Sequence, residues 1–261
     1  MMHPGAWIIW ATCAGLVAFT TTNPFYLLPL AAVAWLVYAT HSAPGPLARS
    51  FRLFLLFAIA TVVIRTSLVL FGTIDLSNTV FAALEGLRLG VLLVVFGTFN
   101  SVTDPFGVLR LAPRRFQEPA LAAALALSIA PRTISAVGRV REAQQLRGIR
   151  VARWRTLPAL AIPVLETGME EAVTLAESMD SRGHGRGRRT RYRPQPVTFP
   201  SVATVAAGLV SVVIFLTAAF REWGGLFPST SPLQWPEASP VLIAALLLLA
   251  VPALFPRTSS R

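Results

Sequence analysis

The chain has 261 residues, of which 54% are hydrophobic and 13% are charged, and its mean hydropathy is +0.61. This composition excludes a soluble domain with a hydrated surface, so the sequence predicts an all-α integral membrane protein. The net charge is +11, and all 23 basic residues are arginines. A single cysteine, Cys13, excludes an internal disulfide and a multi-cysteine metal site.

Six apolar segments meet or approach the length of about 20 residues that a membrane-spanning helix needs. They are Trp7 to Thr22, Phe25 to His41, Arg52 to Gly72, Thr79 to Phe99, Phe199 to Phe220, and Ser239 to Phe255. The first lacks a positive n-region and a small-residue cleavage site, so we expect a retained span. The sequence thus predicts a four-span bundle over 1–100, a cytoplasmic domain of amphipathic helices over 101–197, and two further spans over 198–261.

The distribution of charge predicts the orientation. Between Arg110 and Arg193 lie 16 arginines and seven acidic residues, a net +9 of the chain's +11. The positive-inside rule makes this stretch cytoplasmic and, with six spans, both termini as well. The basic run before Phe199 directly precedes a span, where anionic lipid headgroups explain it, so we expect no nucleic-acid binding. The sequence therefore predicts a multi-pass protein of the cell membrane.

The predicted cytoplasmic domain opens with a helix start, in which Asp104 caps free amides and Pro105 takes the first helical position. Pro119 to Ala130 is an apolar run too short to span, and we expect Pro131 to close it. After that break, Ile134, Val137, Val140, Ala143 and Leu146 form a drifting apolar stripe. We expect three or four short helices here, packed under the spanning bundle.

A longer amphipathic helix of about 23 residues is predicted from Pro158 to the glycine at 183, lying on or beside the membrane. Its apolar residues recur at four-three spacing, with three glutamates on other faces. The apolar stripe consists of Leu165, Met169, Ala172, Ala176 and Met179.

Two segments of this domain repeat each other. EAQQLRG and ESMDSRG each place a glutamate, Glu142 or Glu177, five residues before an Arg-Gly pair. Each Arg-Gly taken singly is explained by helix capping, because the arginine meets the helix dipole and the glycine stops the helix. The duplication favours a second role, in which each guanidinium binds carboxylates or carbonyls of a two-fold partner.

The segment from about Phe99 to Gly183 resembles the T component, or transmembrane coupling subunit, of energy-coupling factor (ECF) transporters, a branch of the ABC transporters. The resemblance covers GTFNSVTDPFGVLRLAP, ALALSIAPRTISAVGRVREAQQLRG, PVLETGMEEAVTLAESMDSRG and the basic segment before the next span. It implies a vitamin or metal-ion importer with two ATPase subunits and a substrate-binding membrane S component. It also implies that the coupling tips Leu146-Arg147-Gly148 and Ser181-Arg182-Gly183 dock into grooves on the ATPases. Both tips depart from the commonest Ala-Arg-Gly.

Three Arg or Glu residues lie inside predicted spans away from their ends. Glu85 and Arg88 stand at i and i+3 and are expected to pair on one helix face, as a structural ion pair or partner contact rather than a transport path. For Arg65 we expect snorkelling or packing in the bundle.

Catalysis is not predicted. His3, His41 and His184 all lie at ends or in loops, no span supplies an acid pair, and GHGRG at 183–187 lacks the Lys of a phosphate loop. We therefore expect no catalytic residue, no bound cofactor, no metal site and no ATP hydrolysis by this chain. The alternatives are a stand-alone secondary transporter or channel, and a membrane anchor with no transport role.

Overall fold

A computed structural model of the chain describes residues 2–42, 46–72, 75–148, 158–184, 196–229 and 235–256. Within these ranges the regular structure is helical and no strand occurs. The chain divides into two compact units. The first contains Met1–Leu111 and Gln195–Arg261, and the second contains Ala112–Pro194.

The first unit contains seven of the described α-helices, which are α1 (Pro4–Phe19), α2 (Pro24–His41), α3 (Pro46–Gly72), α4 (Leu76–Val102), α5 (Pro105–Leu109), α8 (Phe199–Phe220) and α9 (Pro240–Leu247), the last continued by a 3-10 helix over Leu248–Leu254. The second unit contains a 3-10 turn over Arg114–Phe116, then α6 (Gln117–Leu146) and α7 (Pro158–Ser181).

Five described helices are long and apolar enough to cross a membrane. They are Pro24–His41, Ser50–Phe71, Leu76–Val102, Gln117–Leu146 and Phe199–Phe220. Two of the predicted spans correspond to shorter apolar helices, since α1 has 16 residues and the last span is split between α9 and its 3-10 continuation. The fold is that of an all-α protein compatible with several membrane crossings.

The core of the first unit is built from large aromatic and aliphatic side chains. Trp10, Tyr26 and Phe215 are almost completely buried, and the Tyr26 and Phe215 rings pack edge to face with centroids 5.9 Å apart. The Trp10 indole nitrogen donates a hydrogen bond of 2.9 Å to the carbonyl oxygen of Leu249. This bond satisfies the one polar atom of a buried indole and attaches α1 to the 3-10 helix.

A buried asparagine joins the start of α2 to the segment before α9. The Asn23 side-chain oxygen accepts from the Phe25 amide at 2.9 Å, which caps α2. Its side-chain nitrogen donates to the carbonyl oxygens of Gly225 and Glu237, both at 2.7 Å. One side chain therefore satisfies three backbone groups.

Three glycines on α4 allow α3 to pack closely along it. A Cβ atom added at Gly86 would lie 3.1 Å from the Val62 Cα, and one at Gly90 would lie 3.2 Å from the Ala58 carbonyl oxygen. One at Gly97 would lie 2.7 Å from the Phe54 Cβ. Gly86 and Gly90 form a G-x-x-x-G pattern, the arrangement that brings the backbones of membrane helices together.

The second unit corrects one prediction made from the sequence. We expected Pro131 to end a short apolar run, but Pro131 lies inside α6, a continuous helix of 30 residues. The predicted region 101–197 does contain four helical elements, α5, the 3-10 turn, α6 and α7, but α6 is one long helix where the break at Pro131 was expected. The proline removes only one backbone donor, and the Ala- and Leu-rich run before it strongly favours helix. The apolar run was also expected to be too short to cross a membrane, whereas α6 is long and apolar enough to do so.

Candidate functional site

The first Arg-Gly pair ends α6 in a left-handed turn. Arg147 is the C-cap residue, and Gly148 follows with φ of +78°. The Gly148 amide donates to the Gln145 carbonyl oxygen at 3.0 Å, which satisfies one of the last free carbonyls of the helix. The predicted helix end at Gly148 is confirmed.

The second pair ends α7 in the same way. Ser181 is the last helical residue, Arg182 follows, and Gly183 has φ of +76°. The Gly183 amide donates to the Asp180 carbonyl oxygen at 2.8 Å, and the His184 amide donates to the Met179 carbonyl oxygen at 3.0 Å. These two bonds define a Schellman motif, in which the glycine adopts the left-handed backbone conformation that residues with a Cβ atom rarely adopt.

Helix termination requires both glycines, but it involves the two arginines only through their positive charge at the negative end of each helix dipole. Arg147 and Arg182 are exposed, and within the residues that the structure describes neither side chain has an ion-pair or hydrogen-bond partner. Glu142 and Glu177 are also exposed. A separation of five residues places each glutamate about 140° around the helix from its arginine, so the repeat does not build an internal ion pair.

The residues before the two arginines differ in what they offer. Leu146 is 90% exposed, so the first tip ends in a bare apolar side chain. Ser181 is exposed, but its hydroxyl donates to the Ser178 carbonyl oxygen at 3.0 Å. The first tip therefore presents an apolar group beside its charge, and the second presents a small polar one.

The apolar stripe of α7 is mostly exposed. Met169 is 70% exposed, and only Met179 of the stripe is half-buried. The remaining members, all exposed, are Leu165, Ala172 and Ala176. The other half-buried side chains of α7 lie off the stripe, among them Val164 and Leu175. The four-three spacing thus describes a face that the described part of the chain leaves largely uncovered.

The ionisable residues predicted inside the spans come together at the α3–α4 contact. Arg88 donates to a Glu85 carboxylate oxygen at 3.2 Å, which confirms the predicted pair. The other Glu85 oxygen lies 3.9 Å from an Arg65 guanidinium nitrogen. We call these three residues the arginine cluster; its formal charge is +1.

Sequence reasoning did not place Arg65 beside Glu85, nor Phe19 beside Arg88. Arg88 donates to the carbonyl oxygen of Phe19, the last residue of α1, and its guanidinium lies over the Phe19 ring. The G-x-x-x-G pattern at Gly86 and Gly90 was the available signal. It shows which face of α4 lies against α3, and hence that Glu85 is next to that contact.

The described residues contain no group of three or more His, Cys, Asp or Glu side chains arranged to hold a metal ion. A comparison with protein-family models found no match, and a comparison with curated proteins found no significant one. The features of the described residues that bear on function are the two tips, the exposed α7 stripe and the arginine cluster.

Proposed function

We propose that this chain is the transmembrane coupling subunit, or T component, of an ECF-type importer for a vitamin or metal ion. The observation that carries the proposal is the matched pair of helix ends. Arg147 and Arg182 each follow the last helical residue, each precedes a left-handed glycine, and each is exposed. Two cationic tips with the same helix-end geometry suit a partner made of two similar ATPase subunits.

The mechanism follows from what each tip residue contributes. A guanidinium presents several donors in a fixed plane and binds carboxylates or carbonyl oxygens with defined geometry. The adjacent glycine has no side chain, so a partner surface can approach the backbone there. Closure of the ATPase pair on nucleotide binding would move both tips. Through α6 and α7, that motion would tilt a substrate-binding membrane subunit held against the spanning helices.

The exposed α7 stripe supplies the apolar part of the proposed ATPase contact. Leu165 and Met169 lie one turn apart on one face and are uncovered by the described part of the chain. Protein interfaces combine an apolar centre with a few well-placed charged groups, and methionine adapts to an irregular partner surface. We propose that the stripe contributes most of the buried area of the contact and that the arginines fix the position and orientation of the partner.

We also propose that the second unit lies on the cytoplasmic side, with both termini, although α6 is long enough to span. A spanning α6 would place Arg132 near the bilayer centre, at a cost of about 2.5–3.5 kcal/mol. It would also leave arginines on both sides of the membrane, against the positive-inside rule. A location outside the hydrocarbon avoids both penalties.

The deciding experiment is co-purification of the chain with its ATPase partners. Arg147→Ala and Arg182→Ala should each reduce the amount of ATPase recovered or uncouple ATP hydrolysis from uptake. Losing an interfacial arginine whose partner is buried costs about 2–5 kcal/mol. Arg139→Ala is the matched control, because Arg139 is exposed on the same helix as Arg147 but away from its end. Wild-type uptake by the double tip variant would refute the proposal.

The arginine cluster favours a second candidate, a stand-alone secondary transporter or channel, because ionisable side chains within spans often line a transport path. Reconstituting the purified chain alone in vesicles separates the two. Substrate flux without ATPases would support the stand-alone transporter, whereas flux that requires added ATPases and a substrate-binding subunit supports the coupling role.

A further inference from the structure

The two arginines of the arginine cluster have unequal surroundings. Arg88 is 15% exposed at its side chain and has three contacts: the Glu85 carboxylate, the Phe19 carbonyl oxygen and the Phe19 ring. Arg65 is 48% exposed at its side chain, and its one described ion pair is the 3.9 Å approach to Glu85. The single carboxylate is thus shared, and the unbalanced positive charge lies on the Arg65 side.

The surface around Arg65 suits lipid chains better than a closely packed helix. Every exposed apolar residue described on α3 is Leu, Ile, Val or Phe, and Ile64, Leu68 and Phe71 continue past Arg65 at four-three spacing. Helices that associate in membranes do so through Gly, Ala, Ser and Thr. On α3 such a residue, Ala58, is buried against Gly90 of α4.

The position of Arg65 along α3 permits a contact with lipid headgroups. The apolar stretch of α3 ends at Phe71, six residues after Arg65, which corresponds to about 9 Å along the helix axis. Long arginine side chains at this distance from a helix end extend towards the interface and leave their methylene groups in the apolar region. An anion bound there would balance the formal +1 charge of the cluster.

We propose that Arg65 anchors a phospholipid at the C-terminal end of α3. In this site the guanidinium binds the lipid phosphate through charge-assisted hydrogen bonds, and an acyl chain lies along Ile64, Leu68 and Phe71. Glu85 orients the guanidinium from the α4 side. The site goes beyond the proposed coupling role and does not depend on it.

The test uses the full-length chain purified in mild detergent, titrated with phosphatidylglycerol and analysed by native mass spectrometry. Arg65→Gln should weaken lipid binding by about tenfold or more, because a hydrogen bond to a charged group is lost. Arg52→Gln is the matched control: Arg52 is an exposed arginine on the same helix, away from the cluster. That variant should keep wild-type affinity, and an excess of inorganic phosphate should not displace the lipid.

Three results would overturn the proposal. These are equal lipid affinity in wild type and Arg65→Gln, an equal loss in Arg52→Gln, and displacement by inorganic phosphate, which would indicate a free-anion site. If Arg65→Gln does not fold, the lipid affinity of Arg65→Lys tests the proposal instead. This variant keeps the charge but loses the planar donor pair, so an affinity equal to that of the wild type would contradict the proposed contact.

Discussion

Arg88 of α4 donates a hydrogen bond to the carbonyl oxygen of Phe19, and its guanidinium carbon lies 4.3 Å from the centroid of the Phe19 ring. Phe19 is the last residue of α1, so this carbonyl is among those that a helix leaves without an internal partner. A cation at a helix C-terminus also interacts favourably with the helix dipole. One side chain thus caps α1 and attaches it to α4.

We expect Arg88→Met to destabilise the first unit by about 2 kcal/mol, since a charge-assisted bond and the pair with Glu85 are lost together. Thermal unfolding in detergent, followed by tryptophan fluorescence, measures the change. Arg52→Met serves as the control and should leave the unfolding midpoint near that of the wild type. A midpoint shift no larger than the control's would show that Arg88 does not hold α1 to α4.

The glycines of α4 lead to a second prediction. A side chain at position 90 would meet the Ala58 carbonyl oxygen, which belongs to the α3 backbone and cannot move aside. Gly90→Val should therefore separate α3 from α4 and destabilise the protein by about 1–3 kcal/mol. Gly138→Ala is the control, because a Cβ there has no neighbour within 4 Å. Replacing this open helical glycine should be neutral or stabilising by up to about 1 kcal/mol.

Local sequence patterns predicted the features of this fold that depend on local rules. The Asp104 side chain accepts hydrogen bonds from the Phe106 and Gly107 amides, and Pro105 is the first helical residue, as expected. The Glu85–Arg88 pair was also predicted, because residues three apart on a helix are neighbours.

The features that depend on long-range packing were not predicted. Arg65 is 20 residues from Glu85, and their contact requires the register of α3 against α4, which no local spacing encodes. The prediction that the helix breaks at Pro131 was wrong for a related reason. A proline weakens a helix, but the outcome depends on how strongly its flanks favour helix and on where it is packed. Periodicity likewise showed which α7 residues share a face, but not whether the chain covers that face.

The capping glycines provide a third prediction, which concerns how rigidly the last turn of each helix is held. Alanine in the left-handed conformation costs roughly 1–2 kcal/mol, so Gly183→Ala should loosen the last turn of α7. Hydrogen exchange of the His184 amide, which bonds to Met179, should become faster. Gly183→Asn should be milder, because asparagine adopts this conformation more readily. Gly168→Ala on the same helix, in open space, should not speed exchange at His184. Equal exchange in Gly183→Ala and wild type would contradict the capping role.

The last prediction concerns the sidedness of the tips and of α6. In a Cys13→Ala background, single cysteines replacing Leu146 and Ser181 should react with a membrane-impermeant maleimide from the cytoplasmic face only. A cysteine replacing Ser77, at the start of α4, should react only from the opposite face. Reaction of the tips from outside the cell would exclude an intracellular ATPase as their partner, and with it the coupling role.

A cysteine replacing Ser135 tests α6 itself. Ser135 is exposed and lies close to the middle of the 30-residue helix, three residues after Arg132. If α6 lies outside the hydrocarbon, as the cost of placing Arg132 in the bilayer centre argues, this cysteine should react as fast as the one replacing Ser181. If α6 spans, the cysteine should be protected, because the bilayer excludes water and the reagent from that depth. Protection would also require Arg132 to find a compensating carboxylate within the membrane, because an unpaired charge at that depth is costly.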